Sequence, residues 1–313
     1  MKLPLISVLI ITWNRKDDIL ETVQSIYEQA YQNFEIIVVD NGSTDGTVQA
    51  LYKLYPAVRV VALDRNLGAA GGRNAGIDIA RGDIIFCLDS DASPGQNTLC
   101  NLVHKFQAEP EVGVINCKIV NINSGKLNGG PGWVYSERQK ARQDSEFLSW
   151  SFSEGGAAIR REVFDRIGLF WDLLFFGCEG QEIGLRVWNG GYKILYYPES
   201  IVYHRASEQQ RFSDNNRDYL FFRNTLYIYI ARYPWWMLAL MGPLKIGTMM
   251  IRFAKRGYLP AVFRALLEVI KKLPVLLKER KPINNRTAWF YLKLLRQQGP
   301  LSWDLISWLK YKT

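Results

Sequence analysis

Asp89-Ser90-Asp91 closes the run GDIIFCLDSD, where two acids sit one residue apart directly after an apolar segment. In a strand, residues i and i+2 point to one face, so both carboxylates can converge on one hard cation where the strand ends. Open α/β sheets bind ligands at that carboxyl edge. Carboxylate oxygens suit Mg²⁺ or Mn²⁺, and such an ion can bridge the two phosphates of a diphosphate. Asp-x-Asp also occurs in many loops by chance, so the neighbouring segments carry the argument.

Those segments alternate in the way a parallel sheet requires. LISVLIIT (5–12) reads as a continuous apolar strand covered on both faces. Asn14 is placed to cap the following helix, in which Ile19, Val23 and Ile26 recur at helical spacing. FEIIVVD is a second strand ending at Asp40, and NGSTDGT is a turn before a helix near Val48–Tyr55. VRVVAL is a third strand, NLGAAGGRNAGIDIA a glycine-rich turn entering a helix, and DIIFCLDSD a fourth strand. Ser93-Pro94 resembles a helix start, with Ser as cap and Pro in the first turn. A helix near Asn97–Ala108 and a strand near Val112–Val120 follow, and residues 121–150 read as an irregular excursion over the site. GGAAIRREVFDRIG reads as a strand and short helix, and a later helix closes at Gly190-Gly191 before a strand and loop ending at His204. The order predicts an α/β fold, a doubly wound and mostly parallel sheet with flanking helices.

Four strand ends or turns then deliver polar groups to one edge: Thr12, Trp13 and Asn14; Asp40 with Asn41 and Asp45; Arg73 and Asn74; Asp89 and Asp91. A nucleoside diphosphate fits this set. A carboxylate can accept the N3–H of a uracil-like base, glycines allow close backbone approach, and Arg73 can engage anionic oxygens or orient an acid. Asp45 is equally suited to capping the next helix, Trp13 to packing or stacking, and Arg73 to pairing with Asp40 or Asp89.

Composition excludes several classes. With 48% hydrophobic and 22% charged residues, the 313-residue chain is globular and large enough for a sizeable core. Its four cysteines form no C-x-x-C pair, which argues against a zinc site or disulfide framework. The N-terminus enters a strand almost at once, without the flanks of a signal peptide, and a cytoplasmic location is the default expectation. The net charge of +9 is uneven: residues 231–313 hold 16 Lys and Arg against three acids, and residues 1–230 hold 23 against 27. After about Phe212 the chain turns aromatic and apolar. Trp235–Ile251, interrupted by Gly242-Pro243 and Lys245, falls short of the roughly 20 apolar residues of a spanning helix. AVFRALLEVIKKLPVLLKERK carries an apolar stripe beside basic residues, as helices lying on an anionic membrane surface do. Its aliphatic density argues against nucleic acid as the partner. Packing on the catalytic part, or on another subunit in an oligomer, is the alternative use of these helices.

SVLIITWNR, IIVVDNGSTDGT, NLGAAGGRNAGI and FCLDSD resemble, in order and spacing, the successive blocks of the family 2 glycosyltransferases, and FFGCEGQEIGLRVWNGGYKILYYPESIVYH resembles that family's acceptor-side block. The resemblance covers roughly residues 4–210. It implies a GT-A fold and an inverting transfer of a sugar from a nucleoside diphosphate sugar, with UDP or dTDP favoured. It implies donor contacts at Thr12, Asp40 and Asp89, to which the strand-end reading adds Asn14, Asn41 and Arg73. It also implies a metal, Mn²⁺ or Mg²⁺, held by Asp89 and Asp91 with His204 as a further ligand. The family usually carries an acidic pair at a helix start. Here Glu179 matches the first acid and Gly180 replaces the second, so Glu179 is the base candidate and Glu182 the reserve. Arg186, on the same helix, is read as a structural or phosphate partner. The expected organisation is a catalytic GT-A domain at 1–211 and a basic helical tail at 212–313. The acceptor would be a glycan or lipid-linked hydroxyl, and the location peripheral at the inner face of the cell membrane. The competing expectation is an inactive nucleotide-binding homologue serving as scaffold or regulator, which Gly180 keeps open.

Overall fold

The computed structural model describes residues 3–127, 134–205 and 214–298. Parts of the excursion at 121–150, the junction near 212 and the last stretch of the tail lie outside the described residues.

The chain runs β1 (Ile6–Thr12), α1 (Lys16–Tyr27), β2 (Phe34–Asp40), α2 (Thr47–Leu54), β3 (Arg59–Ala62), α3 (Gly68–Ile79) and β4 (Ile84–Asp89). It continues through β5 (Ala92–Pro94), α4 (Thr98–Ala108), β6 (Val112–Asn121), β7 (Phe147–Leu148), β8 (Gly156–Arg160) and α5 (Arg161–Ile167). Then come α6 (Glu179–Asn189), β9 (Lys193–His204), α7 (Asp214–Arg232), α8 (Trp235–Lys255), α9 (Leu259–Lys278) and α10 (Asn285–Gln298). Among the described residues the strands form one sheet in the order β3-β2-β1-β4-β8-β6-β9-β5, with β7 also on β9. β3, β2, β1 and β4 are parallel, as are β6 and β9, while β8 runs antiparallel between β4 and β6. This is the mixed, mostly parallel sheet that the alternating pattern predicts.

Both faces of the sheet are covered, which is why its central strands β1, β2 and β4 are largely apolar. Ile6, Val8 and Ile10 of β1 and Phe86 and Leu88 of β4 pack with α1 and α4 on one face. Leu9, Ile37, Ile85 and Cys87 pack with α3, α5 and α6 on the other. A third core joins Trp150, Trp171, Leu185 and Tyr196 to Tyr227, Tyr229, Met237, Val262 and Tyr291. The composition therefore changes near 211, but the packing is continuous across that point.

Two local readings need correction. Ala92–Pro94 is a strand, antiparallel to β9, and the next helix begins only at Thr98. Sheet pairing overrides the Ser-Pro signal, and it places Ala92 opposite His204. Trp235–Lys255 is one continuous helix of 21 residues, long and apolar enough by length and composition to cross a membrane. Pro243 lies inside it: the ring costs one backbone hydrogen bond but does not end the helix.

Candidate active site

Register assembles the edge. Thr12 lies opposite Asp40, and Ile11 lies between Val39 and Asp89, so the ends of β2, β1 and β4 come level. β4 stops at Asp89, and a turn through Ser90 carries the chain to Asp91. Oxygens of Asp89 and Asp91 and a ring nitrogen of His204 lie within 4.8 Å of one another. Two hard oxygen donors and one imidazole suit Mn²⁺. His204 Nε2 is 3.2 Å from Asp91 Oδ1, and Arg15 Nη1 donates to Asp91 Oδ2 at 2.9 Å. Burial pushes the Asp91 carboxyl up, but the His204 hydrogen bond and the His204 and Arg15 charges outweigh it and hold Asp91 well below the usual carboxylate range. Burial and the Asp91 charge raise Asp89, against the opposing pull of Arg73.

The nucleotide side is held by the two neighbouring strand ends. Asp40 is 2% exposed, and its Oδ2 accepts the Ser43 N–H at 2.9 Å. Its Oδ1 and the Thr12 hydroxyl are buried without a hydrogen-bond partner among the described residues. Buried acceptors without partners are rare, and two side by side at a ligand edge point to a missing donor. Asn14 does not cap α1. It takes φ 50°, donates its N–H to Ser43 Oγ and accepts the Thr44 N–H through Oδ1, both at 2.7 Å. Asp45 performs the capping, accepting the Lys16 N–H at 3.0 Å and the Thr47 N–H at 3.1 Å. Asn41 braces the glycine-rich turn, accepting from Leu67 N–H at 3.3 Å and donating to the Gly68 carbonyl at 3.2 Å. Trp13 is 36% exposed on the rim, open to stacking by a ligand.

Arg73 is buried and sits 3.7 Å from Asp89 Oδ1, not beside Asp40. Around its guanidinium stand Asp89, Glu179 and a third acid, Glu154, which sequence reasoning missed. Glu154 lies in the loop before β8, tethered by the Ser153 N–H to Asn116 Oδ1 at 3.1 Å. Burial and the Glu179 charge push its carboxyl up to about 8. Burial also raises Glu179, opposed by Arg73 and by hydrogen bonds from its own and the Gly177 N–H. Two glycines make this crowding feasible. A Cβ at Gly155 would overlap the Asp89 carboxylate, and one at Gly180 would overlap the Phe152 carbonyl and lie 2.6 Å from Glu154 Oε1. The signal that could have found Glu154 was Gly180 itself, a glycine that leaves space for an acid from another segment.

Glu182 lies elsewhere. Its side chain is fully buried between Arg186 Nη2 and Arg232 Nε, each at 2.6 Å. The structure thus brings together Thr12, Asp40, Arg73, Asp89, Asp91, His204 and Glu179. It gives Asn14, Asn41, Asp45 and Arg186 bracing roles, and it makes Glu182 part of a buried ion-pair cluster.

A family profile described as Glycosyl transferase family 2 matches residues 7–168, just over half of the chain. The chain is 32% identical over 163 residues to the succinoglycan biosynthesis protein ExoO of Rhizobium meliloti (strain 1021), covering 51% of this chain and 45% of that protein. It is 38% identical over 107 residues to the UDP-Glc:alpha-D-GlcNAc-diphosphoundecaprenol beta-1,3-glucosyltransferase WfaP of Escherichia coli, covering 34% and 42%. The matches thus span less than half the length of either relative. Among solved structures, GalNAc-T7 with UDP, GalNAc and Mn²⁺ superposes with TM-score 0.61 at 20% identity, covering 87% of this chain and 58% of that one. The mannosyltransferase PcManGT from Pyrobaculum calidifontis, in complex with GDP-Man and Mn²⁺, superposes with TM-score 0.56 at 23% identity, covering 86% and 76%. At those identities the likeness establishes the GT-A fold. Fold, family profile and sequence relatives agree, and the chain belongs to glycosyl transferase family 2.

Proposed function

We propose that this chain is an inverting, metal-dependent glycosyltransferase moving a sugar from a UDP- or dTDP-sugar to a hydroxyl of a glycan or lipid-linked acceptor. The observation that carries it is the unpartnered Asp40 Oδ1 beside the Thr12 hydroxyl, on the same strand edge as Asp89, Asp91 and His204. A uracil or thymine offers an N3–H to that carboxylate. The printed activity of the WfaP relative, with its UDP donor and diphosphoundecaprenol acceptor, supports the same reading. Mn²⁺ or Mg²⁺ held by Asp89, Asp91 and His204 would offset charge on the departing diphosphate. Arg73 holds Asp89 in place. The proton of the acceptor hydroxyl passes to a carboxylate of the Glu154–Glu179 pair, on which Glu179 is the candidate that sequence singles out.

A thermal-shift panel of UDP, dTDP and GDP compounds with Mn²⁺, Mg²⁺ or chelator tests the donor side. Saturation at 100 times Kd adds about 2.7 kcal/mol, a shift readily seen. Asp40→Ala should weaken UDP binding by about 10- to 100-fold, as loss of a hydrogen bond to a charged group costs about 1.5–3 kcal/mol. A guanine nucleotide that outcompetes UDP, or an Asp40→Ala protein that binds UDP normally, would refute the base assignment.

The tail supports a peripheral location at the inner face of the cell membrane. Leu259, Phe263, Leu267 and Ile270 form an exposed apolar stripe on α9, with the exposed Lys271 and Lys272 alongside. Each apolar side chain buried in lipid contributes about 1.5–3 kcal/mol. Replacing Phe263, Leu267 and Ile270 together by Ser should lower flotation with phosphatidylglycerol vesicles by about 100-fold or more. Equal flotation of the triple variant and the parent would rule this surface out.

A further inference from the structure

We propose that Glu154, rather than Glu179, is the carboxylate that takes the proton from the acceptor hydroxyl, an inference that rests on the transferase reading. Several features of the site point there. Glu179 is 4% exposed, and its Oε1 already accepts the Gly177 N–H at 2.9 Å. At the first position of α6 it is also held by the helix N-terminus, which favours a fixed anion. Glu154 is the more exposed of the two and reaches across Gly180, its Oε1 occupying space that any side chain at 180 would contest. The same loop lies against the metal edge, since the Gly155 backbone abuts the Asp89 carboxylate and the Gly155 carbonyl accepts the Asp89 N–H at 3.4 Å. The loop is braced from beneath, with the Ser153 N–H on Asn116 and Asn116 in turn donating to the Tyr135 hydroxyl at 2.8 Å. A braced, partly exposed acid therefore stands beside the donor edge, where a general base has to be held.

In this scheme the acceptor O–H bond breaks and its proton goes to the Glu154 carboxylate. The acceptor oxygen forms the new bond to the anomeric carbon, while the bond from that carbon to the diphosphate breaks and its electron pair leaves with the diphosphate. Glu179, fixed by the Gly177 N–H at the start of α6, positions Glu154 together with Arg73.

The test is turnover, by transfer or by hydrolysis with water as acceptor, across UDP-glucose, UDP-N-acetylglucosamine, dTDP-glucose and GDP-mannose with Mn²⁺. Glu154→Gln should lower kcat about 10²- to 10⁴-fold. Donor KM should stay within about threefold of the parent and the UDP–Mn²⁺ thermal shift should persist, since the residue touches acceptor rather than nucleotide. Glu179→Gln should lose less, about tenfold, because the remaining carboxylate still accepts the proton. Should Glu154→Gln fail to fold, Glu154→Asp carries the test, with at least about tenfold lower kcat at unchanged donor KM from its shorter reach. A Glu154→Gln enzyme that keeps more than about a tenth of the parental kcat, or that loses donor binding in step with kcat, overturns the assignment. A parent protein that binds nucleotide with metal yet turns over none of the four donors overturns the transferase reading, and this assignment with it.

Discussion

Asp91→Asn is expected to remove metal-dependent turnover, lowering kcat/KM by about 10³-fold or more, while leaving the fold intact. Asp91 is 3% exposed and is the member of the triad that touches both His204 and Arg15. Those partners keep it ionised well below neutral pH, so it is a ready ligand at any working pH. Asn keeps the size and one hydrogen-bond acceptor but removes the charge. Stabilising charge on a leaving diphosphate is worth several kcal/mol, and each 1.4 kcal/mol is tenfold in rate. The metal-free protein should lose some stability with the Arg15 and His204 pairings, offset in part by relief of the charge that raises Asp89. The measurement is initial rate against Mn²⁺ concentration, with the melting temperature of the metal-free protein beside it. A parent enzyme equally active in chelator, or an Asp91→Asn enzyme restored to within about tenfold by excess Mn²⁺, would refute the metal role.

The two halves of this site differ in how far the sequence reveals them, and the reason is distance along the chain. Asp40, Asp89 and Asp91 were legible because each follows an apolar strand directly, and a parallel sheet aligns strand ends without further information. His204 is harder: its approach to Asp91 depends on Ala92–Pro94 pairing with β9, and that segment reads locally as a helix start. A three-residue strand has no period of its own, so only its partner identifies it. Asn14 departs from the cap that its position suggests for a similar reason. Its left-handed backbone aims the side chain across at Thr44, in the turn after a different strand, instead of along its own helix.

Glu154 had no local pattern at all. It lies in a loop between Trp150 and β8, and its importance comes from Gly180, 26 positions later, and from Arg73 far earlier. Arg232 was hidden differently. The shift to basic, aromatic residues near 212 suggests an appended tail, yet this arginine reaches back into the catalytic part. The same holds for Asn224, whose amide donates to the carbonyls of Leu174, Phe176 and Gly177 at 2.7–2.9 Å. Composition reports which surface a segment presents, while the acids on α6 depend on which residues its buried face supplies.

Glu182→Ala is the substitution expected to cost most stability, about 3–5 kcal/mol, because it strands a buried cation. Glu182 is fully buried, and the Arg232 side chain is 7% exposed. Arg232 also donates to the Glu279 carbonyl at 3.2 Å and lies over the Trp171 ring at 4.9 Å. Without Glu182 its charge would pair with no carboxylate among the described residues. Urea or thermal unfolding measures the loss, and a change under about 1 kcal/mol would show the cluster to be dispensable. Removing both charges, Glu182→Gln with Arg232→Met, should cost less than the sum of the two single changes, since neither group is then left alone. The pH dependence has a definite sign. Burial raises the Glu182 carboxyl, but Arg186 and Arg232 together hold it below its ordinary value. Its contribution is therefore complete above the unfolded carboxyl pKa of about 4.3 and is lost as pH falls through the lower folded value. Glu182→Ala should flatten that acid limb of the stability curve. Because α6 carries Glu179 one turn before Glu182, the same variant should also lower kcat while sparing nucleotide binding at Asp40, which separates the packing of the acid helix from the donor edge.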